Sequence, residues 1–315
     1  MIDNDTVRQV LTAAATRQAL ESAYSDLAAG EAVCRPRIDI RIPTREPDKF
    51  YQWGTMEGGS TGGYFAIRMK FDIIFEREYA GVRTEEKYCS RPGRYCGLVF
   101  LTDVNTGAPL ALINDGLLQH LRVAADSAIG TACMARADTP TLGLLGSGAM
   151  AHAHVHALLE VRAIRRLRVY SPTPAHRERF AAQMAELHGI DCEALDNPRD
   201  VYRDADILAA CTDSAEPVIR GEWLEPGMHV ISIGGRPDAA ATSPTPTLSV
   251  ARRWAAAMTN RSRTPSAATS RVRSSMRSPP WCTKRRGAPA WAVNCPANGS
   301  CKTSVTEFTQ ARRRQ

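Results

Sequence analysis

The sequence predicts an α/β protein built from two unlike halves. An α+β domain is expected over residues 1–138, and a doubly wound parallel sheet over residues 139–245. Strand-like alternation dominates the first half, whereas strands alternate with helices after Pro140. The 315 residues are 43% apolar and 23% charged, an ordinary globular composition. No apolar run reaches the ~18 residues of a membrane-spanning helix and no secretory signal is evident, so we expect a cytoplasmic protein without a membrane partner.

The elements of the first half follow from the spacing of its apolar residues. One long helix is expected from Asp3 to Gly30, because apolar residues recur near a 3.6-residue period and glycine is a common helix end. A glycine-rich segment at 53–63 is interpreted as a loop that covers a binding site. The remaining elements are strands and one alanine-rich helix, expected at 37–42, 64–75, 97–102, 109–113 and 117–137.

The second half alternates regularly between strand and helix. Five strands are expected at 141–146, 167–170, 192–195, 207–211 and 229–233, and two helices at 149–159 and 175–188. Proline follows a capping residue at Thr173-Pro174 and Asn197-Pro198, a pairing typical of helix starts. This alternation favours parallel strands joined by crossover helices.

A glycine-rich turn lies where the first of these strands meets its helix. Gly146, Gly148 and Ala151 fit the G-x-G-x-x-A pattern of Rossmann-type dinucleotide-binding domains. The first glycine allows a tight turn, the second lets a pyrophosphate approach the backbone, and alanine lets helix and strand pack closely. The turn residues Gly146, Ser147, Gly148, Ala149 and Met150 are therefore predicted to bind the cofactor.

The residues after the next strand favour NADP over NAD. An acidic residue there would accept a hydrogen bond from the ribose 2′-hydroxyl of NAD, but this protein has Ser171, Thr173 and Arg177 instead. Hydroxyls and a guanidinium suit a 2′-phosphate, so NADP is predicted and NAD stays an alternative. A further alternative is that these residues only cap the following helix.

Histidines and cysteines give no metal site. His152, His154 and His156 lie on one predicted helix, but no third ligand is evident, so they are interpreted as surface or phosphate-adjacent histidines. The nine cysteines include no C-x-x-C pair, which indicates reduced thiols rather than a disulfide framework.

The C-terminal residues 246–315 differ from the rest in composition. From Ala251 onward, twelve Arg and two Lys against one Glu give a net charge of +13, and since the net charge of the whole sequence is +7, the first 250 residues contribute −6. Residues 251–315 contain no Leu or Ile, so we expect disorder. We interpret it as a frameshift product; the alternative is a basic tail that binds polyanions, although nucleic acid is not an expected partner of the folded part. Ile231 and Ile233 would then be poorly covered at the end of the sheet.

Several blocks together resemble the ornithine cyclodeaminase/mu-crystallin family. They are the stretches at 98–116, 121–125, 143–151 and 221–235, and the resemblance runs from about Leu20 to Ala240. It implies a homodimer whose first domain binds substrate and forms the subunit contact. It also implies hydride transfer at the α-carbon of a small amino or imino acid.

The resemblance also implies site residues. The family's substrate lysine matches Lys70, and its arginine at the start of the linking helix matches Arg122. An earlier carboxylate-binding arginine matches Arg37, with Arg41 as a weaker match, and Thr212 lies where the family's nicotinamide passes. A guanidinium and an ammonium suit an α-amino acid carboxylate.

One position departs from the family's cyclodeaminases. They carry an aspartate directly after the last Gly-Gly, where this protein has Arg236, and Asp238 is the candidate substitute or a plain turn residue. Ketimine reduction or amino-acid dehydrogenation is therefore the leading hypothesis. Ornithine cyclodeamination to proline and a non-catalytic NADPH-binding protein are the alternatives.

Overall fold

The computed structural model describes residues 1–79, 81–90, 97–233 and 247–250. Five α-helices occur in these residues: α1 (Asn4–Val10), α2 (Ala13–Ala29), α3 (Asp115–Met134), α4 (Ala149–Leu159) and α5 (Pro174–His188). The first seven described strands are β1 (Ala32–Cys34), β2 (Ile38–Pro43), β3 (Phe50–Ser60), β4 (Tyr64–Tyr79), β5 (Val82–Tyr88), β6 (Gly97–Asp103) and β7 (Pro109–Asn114). The other six are β8 (Thr141–Leu145), β9 (Arg166–Tyr170), β10 (Asp191–Ala194), β11 (Ile207–Ala210), β12 (His229–Ser232) and β13 (Thr247–Val250).

The long N-terminal helix predicted from Asp3 to Gly30 is two helices. Asp3 caps α1 by accepting from the Thr6 amide at 2.8 Å. Leu11 is extended, and the Thr12 hydroxyl then caps α2. The hydrophobic period alone missed this break because Thr12 opens a new helix without disturbing the apolar spacing. The predicted end at Gly30 is confirmed, since Gly30 is left-handed with φ +80°.

The first sheet is antiparallel and contains a strand where a loop was predicted. Within the described residues its order is β1-β3-β4-β6-β7, with β2 also paired to β3 and β5 to β4. The segment 53–63 was wrongly interpreted as a covering loop, because most of it is β3. A Cβ on Gly58 would lie 2.9 Å from the Val33 carbonyl, and one on Gly59 would lie 2.8 Å from the Tyr64 carbonyl. These glycines therefore serve close strand contacts rather than a flexible turn.

The second sheet confirms the predicted doubly wound fold. Its described strands are all parallel, in the order β10-β9-β8-β11-β12-β13. This is the strand order of a dinucleotide-binding Rossmann sheet, with its crevice beside β8. Fully buried apolar side chains from strands and helices fill the space between the layers, among them Leu142, Leu144, Val155, Leu167, Phe180 and Ile207.

Strand β13 lies inside the segment predicted to be a disordered tail. It pairs in parallel with β12, so the sheet continues past the point where it was expected to end. Ile231 on β12 is 1% exposed and Ile233 is half-buried, so the expectation of a poorly covered sheet end is wrong for Ile231. The remainder of the tail prediction concerns residues 251–315, which lie outside the described residues.

Candidate functional site

The turn after β8 is shaped for glycine. The Gly146 amide donates to the Tyr170 carbonyl at 2.8 Å, which joins the end of β8 to the end of β9. Gly146 has φ +112°, and a Cβ there would overlap the Cys211 carbonyl oxygen at the end of β11. A side chain is excluded by both the backbone angle and the neighbouring strand.

The start of α4 fits a dinucleotide pyrophosphate. Gly148 occupies the N-cap position without a side-chain hydrogen bond to the helix, and nothing lies within 4 Å of a Cβ placed on Gly148. Ala149 at the first helical position is exposed, and Met150 is half-buried against the core. Backbone amides at a helix start attract phosphate, and here an open approach leads to them. The predicted residues of this turn are thus arranged in the way that the group requires.

The predicted 2′-phosphate residues lie at the same edge of the sheet. Ser147 donates to the Ser171 hydroxyl at 2.9 Å. Arg177 is 5% exposed; it donates to the Ser171 carbonyl at 3.0 Å and pairs with Asp196. Thr173 is the N-cap of α5 but its hydroxyl makes no capping hydrogen bond, so the simple capping alternative fails for that hydroxyl. The Arg177 guanidinium already joins Ser171, which follows β9, to Asp196, which follows β10. It therefore gives no support to a 2′-phosphate site.

The predicted substrate lysine is buried beside a carboxylate. Lys70 and Asp72 lie two residues apart on β4 and therefore share a face of the sheet. Lys70 is 8% exposed and Asp72 is fully buried, and Lys70 Nζ lies 2.6 Å from Asp72 Oδ2. Burial lowers the pKa of Lys70, the hydrogen bond and charge of Asp72 raise it, and the charges of Arg37 and Lys87 lower it further.

Two arginines, Arg37 directly before β2 and Arg41 within it, lie near the lysine face. Arg37 contacts Asp39 through Nε at 2.8 Å and Nη2 at 2.7 Å. Arg41 Nε donates to Gln52 Oε1 at 2.7 Å. The register places Asp39 opposite Gly54, which is itself opposite Lys70. The positive charge of Arg37 lowers the pKa of Lys70. Arg41 lies two residues after Asp39 on β2, opposite Gln52.

Arg122 is held on α3 by an acidic partner. Its Nη1 lies 3.0 Å from Asp126 Oδ2, and Tyr24 donates to the other carboxylate oxygen of Asp126. Arg68, which was not predicted from the sequence, connects β4 to α3: its Nε donates to Asp115 Oδ2 at 2.5 Å. Arg68 also contacts Gln119, one turn before Arg122. The two-residue spacing of Arg68 and Lys70 was the available signal.

The two halves meet at the segment after β11. The Glu85 amide of β5 donates to the Asp213 carbonyl at 3.2 Å, and Lys87 Nζ lies 3.2 Å from Asp213 Oδ1. Thr212 directly precedes this contact, and its Cβ would lie 3.6 Å from a Cβ on Gly146. Since Lys87 also acts on Lys70, this segment links the nucleotide turn to the lysine face. Lys87 and Asp213 were not predicted from the sequence because β5 was not expected.

One histidine prediction is corrected, and one candidate lies outside the described residues. His154 was interpreted as a surface or phosphate-adjacent residue but is fully buried; its Nε2 lies 3.0 Å from Ser127 Oγ. Periodicity placed His154 on α4 correctly but could not show that α3 covers it. Within the described part of the protein, no group of three or more ligating side chains could hold a metal. Asp238 belongs to residues 234–246, which the structure does not describe.

Comparison with known proteins gives the family. The family model described as ornithine cyclodeaminase/mu-crystallin matches residues 76–244, more than half of the chain. The Δ1-pyrroline-2-carboxylate reductase of Bacillus cereus is 33% identical over 138 residues, which cover 44% of this chain and 42% of the relative. The mouse ketimine reductase mu-crystallin is 29% identical over 141 residues, 44% of each protein. The match thus spans less than half the length of these curated relatives.

A solved structure agrees with the fold. Thermococcus litoralis Δ1-pyrroline-2-carboxylate reductase, solved in complex with NADH and L-proline, superposes with a TM-score of 0.62 at 24% identity. The superposition covers 74% of this chain and 68% of that one. None of the helices among the described residues is long and apolar enough to cross a membrane. The predicted resemblance is confirmed, and the chain belongs to the ornithine cyclodeaminase/mu-crystallin family.

Proposed function

We propose that this protein is an NAD(P)-dependent enzyme that moves hydride at the α-carbon of a small amino or imino acid. The observation that carries the proposal is the contact of Lys87 with Asp213, which brings the lysine face beside the segment after β11, next to the nucleotide turn at Gly146. The names of the relatives, a pyrroline-carboxylate reductase and a ketimine reductase, support the same class of reaction. Reduction of a cyclic or acyclic C=N bond is the favoured direction.

Each site residue has a role that follows from its chemistry. When bound, a nicotinamide would supply the hydride that reduces the imine carbon, and a proton taken up by the imine nitrogen would complete the amine. Lys70 binds the substrate carboxylate through its ammonium and is the candidate donor of that proton. Arg37 and Arg122 add guanidinium contacts to the carboxylate after exchanging their present partners, Asp39 and Asp126. Asp238 stays a candidate proton acceptor on sequence grounds alone.

We propose NADPH as the preferred cofactor form. No carboxylate directly follows Tyr170, where one would bind the ribose 2′-hydroxyl of NADH, whereas Ser171 and Thr173 supply hydroxyls. Arg177 does not add to this preference because Asp196 and the Ser171 carbonyl already occupy it. Titration of the protein with NADPH and NADH, followed by nicotinamide fluorescence, tests the preference. Tighter binding of NADH would overturn it.

A substrate panel tests the reaction. Cyclic imino acids, mixtures of 2-oxo acids with amines, and L-amino acids are incubated with each cofactor, and absorbance of the reduced nicotinamide is followed. Loss of absorbance with an imino acid is the expected result. Conversion of L-ornithine to proline with release of ammonia would identify a cyclodeaminase instead. Tight NADPH binding without turnover of any substrate would identify a non-catalytic binding protein.

Two lysine variants connect the reaction to the site. Lys70→Ala should lower kcat/KM by about tenfold or more, because one charge-assisted contact to a carboxylate is worth about 1.5–3 kcal/mol. Lys49→Ala is the matched control, since Lys49 pairs with Glu46 away from the lysine face. Full activity of Lys70→Ala would refute the assignment of the substrate site.

We also propose that the protein forms a homodimer through the apolar face of the first sheet. Ile38, Ile40 and Ile42 alternate with the charged residues of β2 and are 43–52% exposed. The register continues this face across the sheet through Trp53, opposite Ile40, to Phe71, opposite Trp53. Trp53 and Phe71 are half-buried, and a contiguous apolar face with an exposed outer strand favours association.

The mass of the particle in solution tests the dimer. Ile40→Glu should give a monomer in light scattering coupled to gel filtration, because a charge would be buried in the contact. Leu187→Glu, at a 61%-exposed position on α5, is the matched control and should leave the mass unchanged. A monomeric wild-type protein would contradict the proposal.

A further inference from the structure

The buried pair of Lys70 and Asp72 has unusual surroundings. Asp72 is fully buried, and Gln52 stands opposite it on β3. The Gln52 side chain is engaged elsewhere, because its oxygen accepts from Arg41 and its nitrogen lies 3.4 Å from Asp39 Oδ1. Within the described part of the protein, neither carboxylate oxygen of Asp72 has a partner with hydrogen-bond geometry, and Oδ2 meets Lys70 as an ion pair. The contact with Lys70 Nζ at 2.6 Å is thus the interaction that Asp72 makes there.

The charges around Lys70 would otherwise favour its neutral form. Burial lowers the pKa of Lys70, and the positive charges of Arg37 and Lys87 act in the same direction. Arg37 directly precedes β2, which is separated from β4 by β3, whereas Lys87 lies on β5, which pairs with β4. Two other carboxylates of this face are engaged with other cations, Asp39 with Arg37 and Asp115 with Arg68. Asp72 is the charge that opposes deprotonation.

Burial of a carboxylate costs free energy, and the attraction of a buried partner often only offsets that cost. Removing one member of a buried ion pair is strongly destabilising, whereas an apolar pair at the same place is often as stable as the ion pair. The pair of Lys70 and Asp72 is therefore poor evidence for stabilisation of the sheet. It is better explained by a requirement for a charged Lys70.

We propose that Asp72 is a positioning residue, whose buried carboxylate fixes the Lys70 nitrogen and keeps it an ammonium able to bind the substrate carboxylate. This rests on the proposed function for the role of Lys70, but the state of Lys70 itself does not depend on turnover. Asp72 acts through Lys70 and contacts neither substrate nor cofactor. Its removal should widen the pH range over which Lys70 is a neutral amine, at a position where the reaction needs a cation.

Nuclear magnetic resonance of the lysine side chains tests the proposal without any activity measurement. The sequence has five lysines, so protein labelled with carbon-13 at lysine Cε gives few signals, and Lys70→Arg assigns the one of interest. In Asp72→Asn, the titration midpoint of Lys70 should move to lower pH by at least about one unit, the scale on which a neighbouring opposite charge acts. An unchanged midpoint would overturn the proposal.

A matched variant on the same strand separates a local effect from a loss of charge in general. Glu76 lies on β4 with Asp72, but it is exposed and pairs loosely with Arg83 at 3.6 Å. Glu76→Gln removes one negative charge and should leave the Lys70 midpoint unchanged. An equal shift in Glu76→Gln and Asp72→Asn would overturn the specific role of Asp72.

Kinetics then distinguish positioning from a merely structural role. Asp72→Asn should raise KM about tenfold more than it lowers kcat, and the activity should fall off at a lower pH on the alkaline side. A uniform loss across the whole pH range would overturn the proposal.

Asp72→Glu covers the case in which Asp72→Asn does not fold: it keeps the charge, so the Lys70 midpoint should stay near that of the wild type while KM rises. In Asp72→Glu, a Lys70 midpoint that falls as far as expected for Asp72→Asn would overturn the proposal. If no substrate is turned over, the proposed function fails, while the titrations still decide the role of Asp72.

Discussion

His154 should make the nucleotide domain sensitive to acid. Its ring is fully buried between α4 and α3, with Nδ1 2.7 Å from the Met150 carbonyl and Nε2 3.0 Å from Ser127 Oγ. The carbonyl can only accept, so Nδ1 carries the proton and Nε2 accepts from the hydroxyl of Ser127. The neutral ring therefore satisfies both contacts, and burial lowers the pKa of His154 to about 4.

The size and sign of the effect follow from this pKa. An unfolded histidine has a pKa of about 6.5, so a folded pKa of about 4 corresponds to a change of about 3 kcal/mol in the free energy of unfolding. Because the folded pKa is depressed, the unfolded protein binds the proton first. Stability is full above the unfolded pKa, falls as the pH drops from about 6.5 to about 4, and levels off below that.

A second buried histidine adds to the effect. Burial and the charge of Arg162 lower the pKa of His229 to about 4, and its Nε2 lies 3.2 Å from Thr131 Oγ1 on α3. Two such residues together remove about 6 kcal/mol on acidification, which is comparable with the whole stability of an ordinary domain.

Urea unfolding at several pH values measures the contribution of His154. His154→Gln keeps a donor and an acceptor, but glutamine does not titrate. It should be less stable than the wild type near pH 7, where the wild type has its full stability. The difference should shrink by up to about 3 kcal/mol as the pH falls to about 4.5. His176→Gln, at an exposed position on α5, is the control. A difference for His154→Gln that stays constant with pH would refute the reasoning.

Two further predictions concern the nucleotide turn and the Arg122 site. Gly146→Ala should lower both the melting temperature, by several degrees, and dinucleotide binding, because its Cβ would overlap the Cys211 carbonyl oxygen. Gly148→Ala should melt near the wild type and lose binding only, since its Cβ meets nothing within 4 Å; equal melting of both variants would contradict this. Tyr24→Phe should lose about 1–2 kcal/mol in urea unfolding through its bond to Asp126, and Tyr64→Phe, 58% exposed, should lose none.

The second half was predictable because local and global preferences agree there. Strands β8 and β11 are short apolar runs, and α5 starts at the signal Thr173-Pro174, so these elements can be recognised without knowledge of their neighbours. The turn at Gly146 and Gly148 was found for the same reason. The role suggested for Arg177 was not supported, because its pairing with Asp196 spans two strand ends and leaves no mark in the local sequence.

The first half was harder to predict because its contacts depend on strand register. Glycines 58 and 59 suggested a loop, yet they are needed where β3 passes its neighbours closely. Lys70 was identified from a family resemblance. The period of two in 64–75 places Arg68 and Asp72 on the same face, but they were not assigned to the site. Lys87 could be assigned to the site only once β5 was known to exist and to pair with β4.

Arg162 should stabilise the C-terminal end of α3. Its Nη2 donates to the carbonyls of Thr131, Ala132 and Ala135 at 2.7–3.1 Å, and its Nε donates to the Arg136 carbonyl at 2.9 Å. Carbonyls at a helix end otherwise lack partners, and a positive charge there also suits the helix dipole. Arg162→Met should therefore cost about 2–4 kcal/mol in urea unfolding. Arg162→Lys should recover less than half of that loss, because an ammonium lacks the planar fork that reaches several carbonyls at once. If lysine restored full stability, the charge alone would suffice and the fork would be irrelevant.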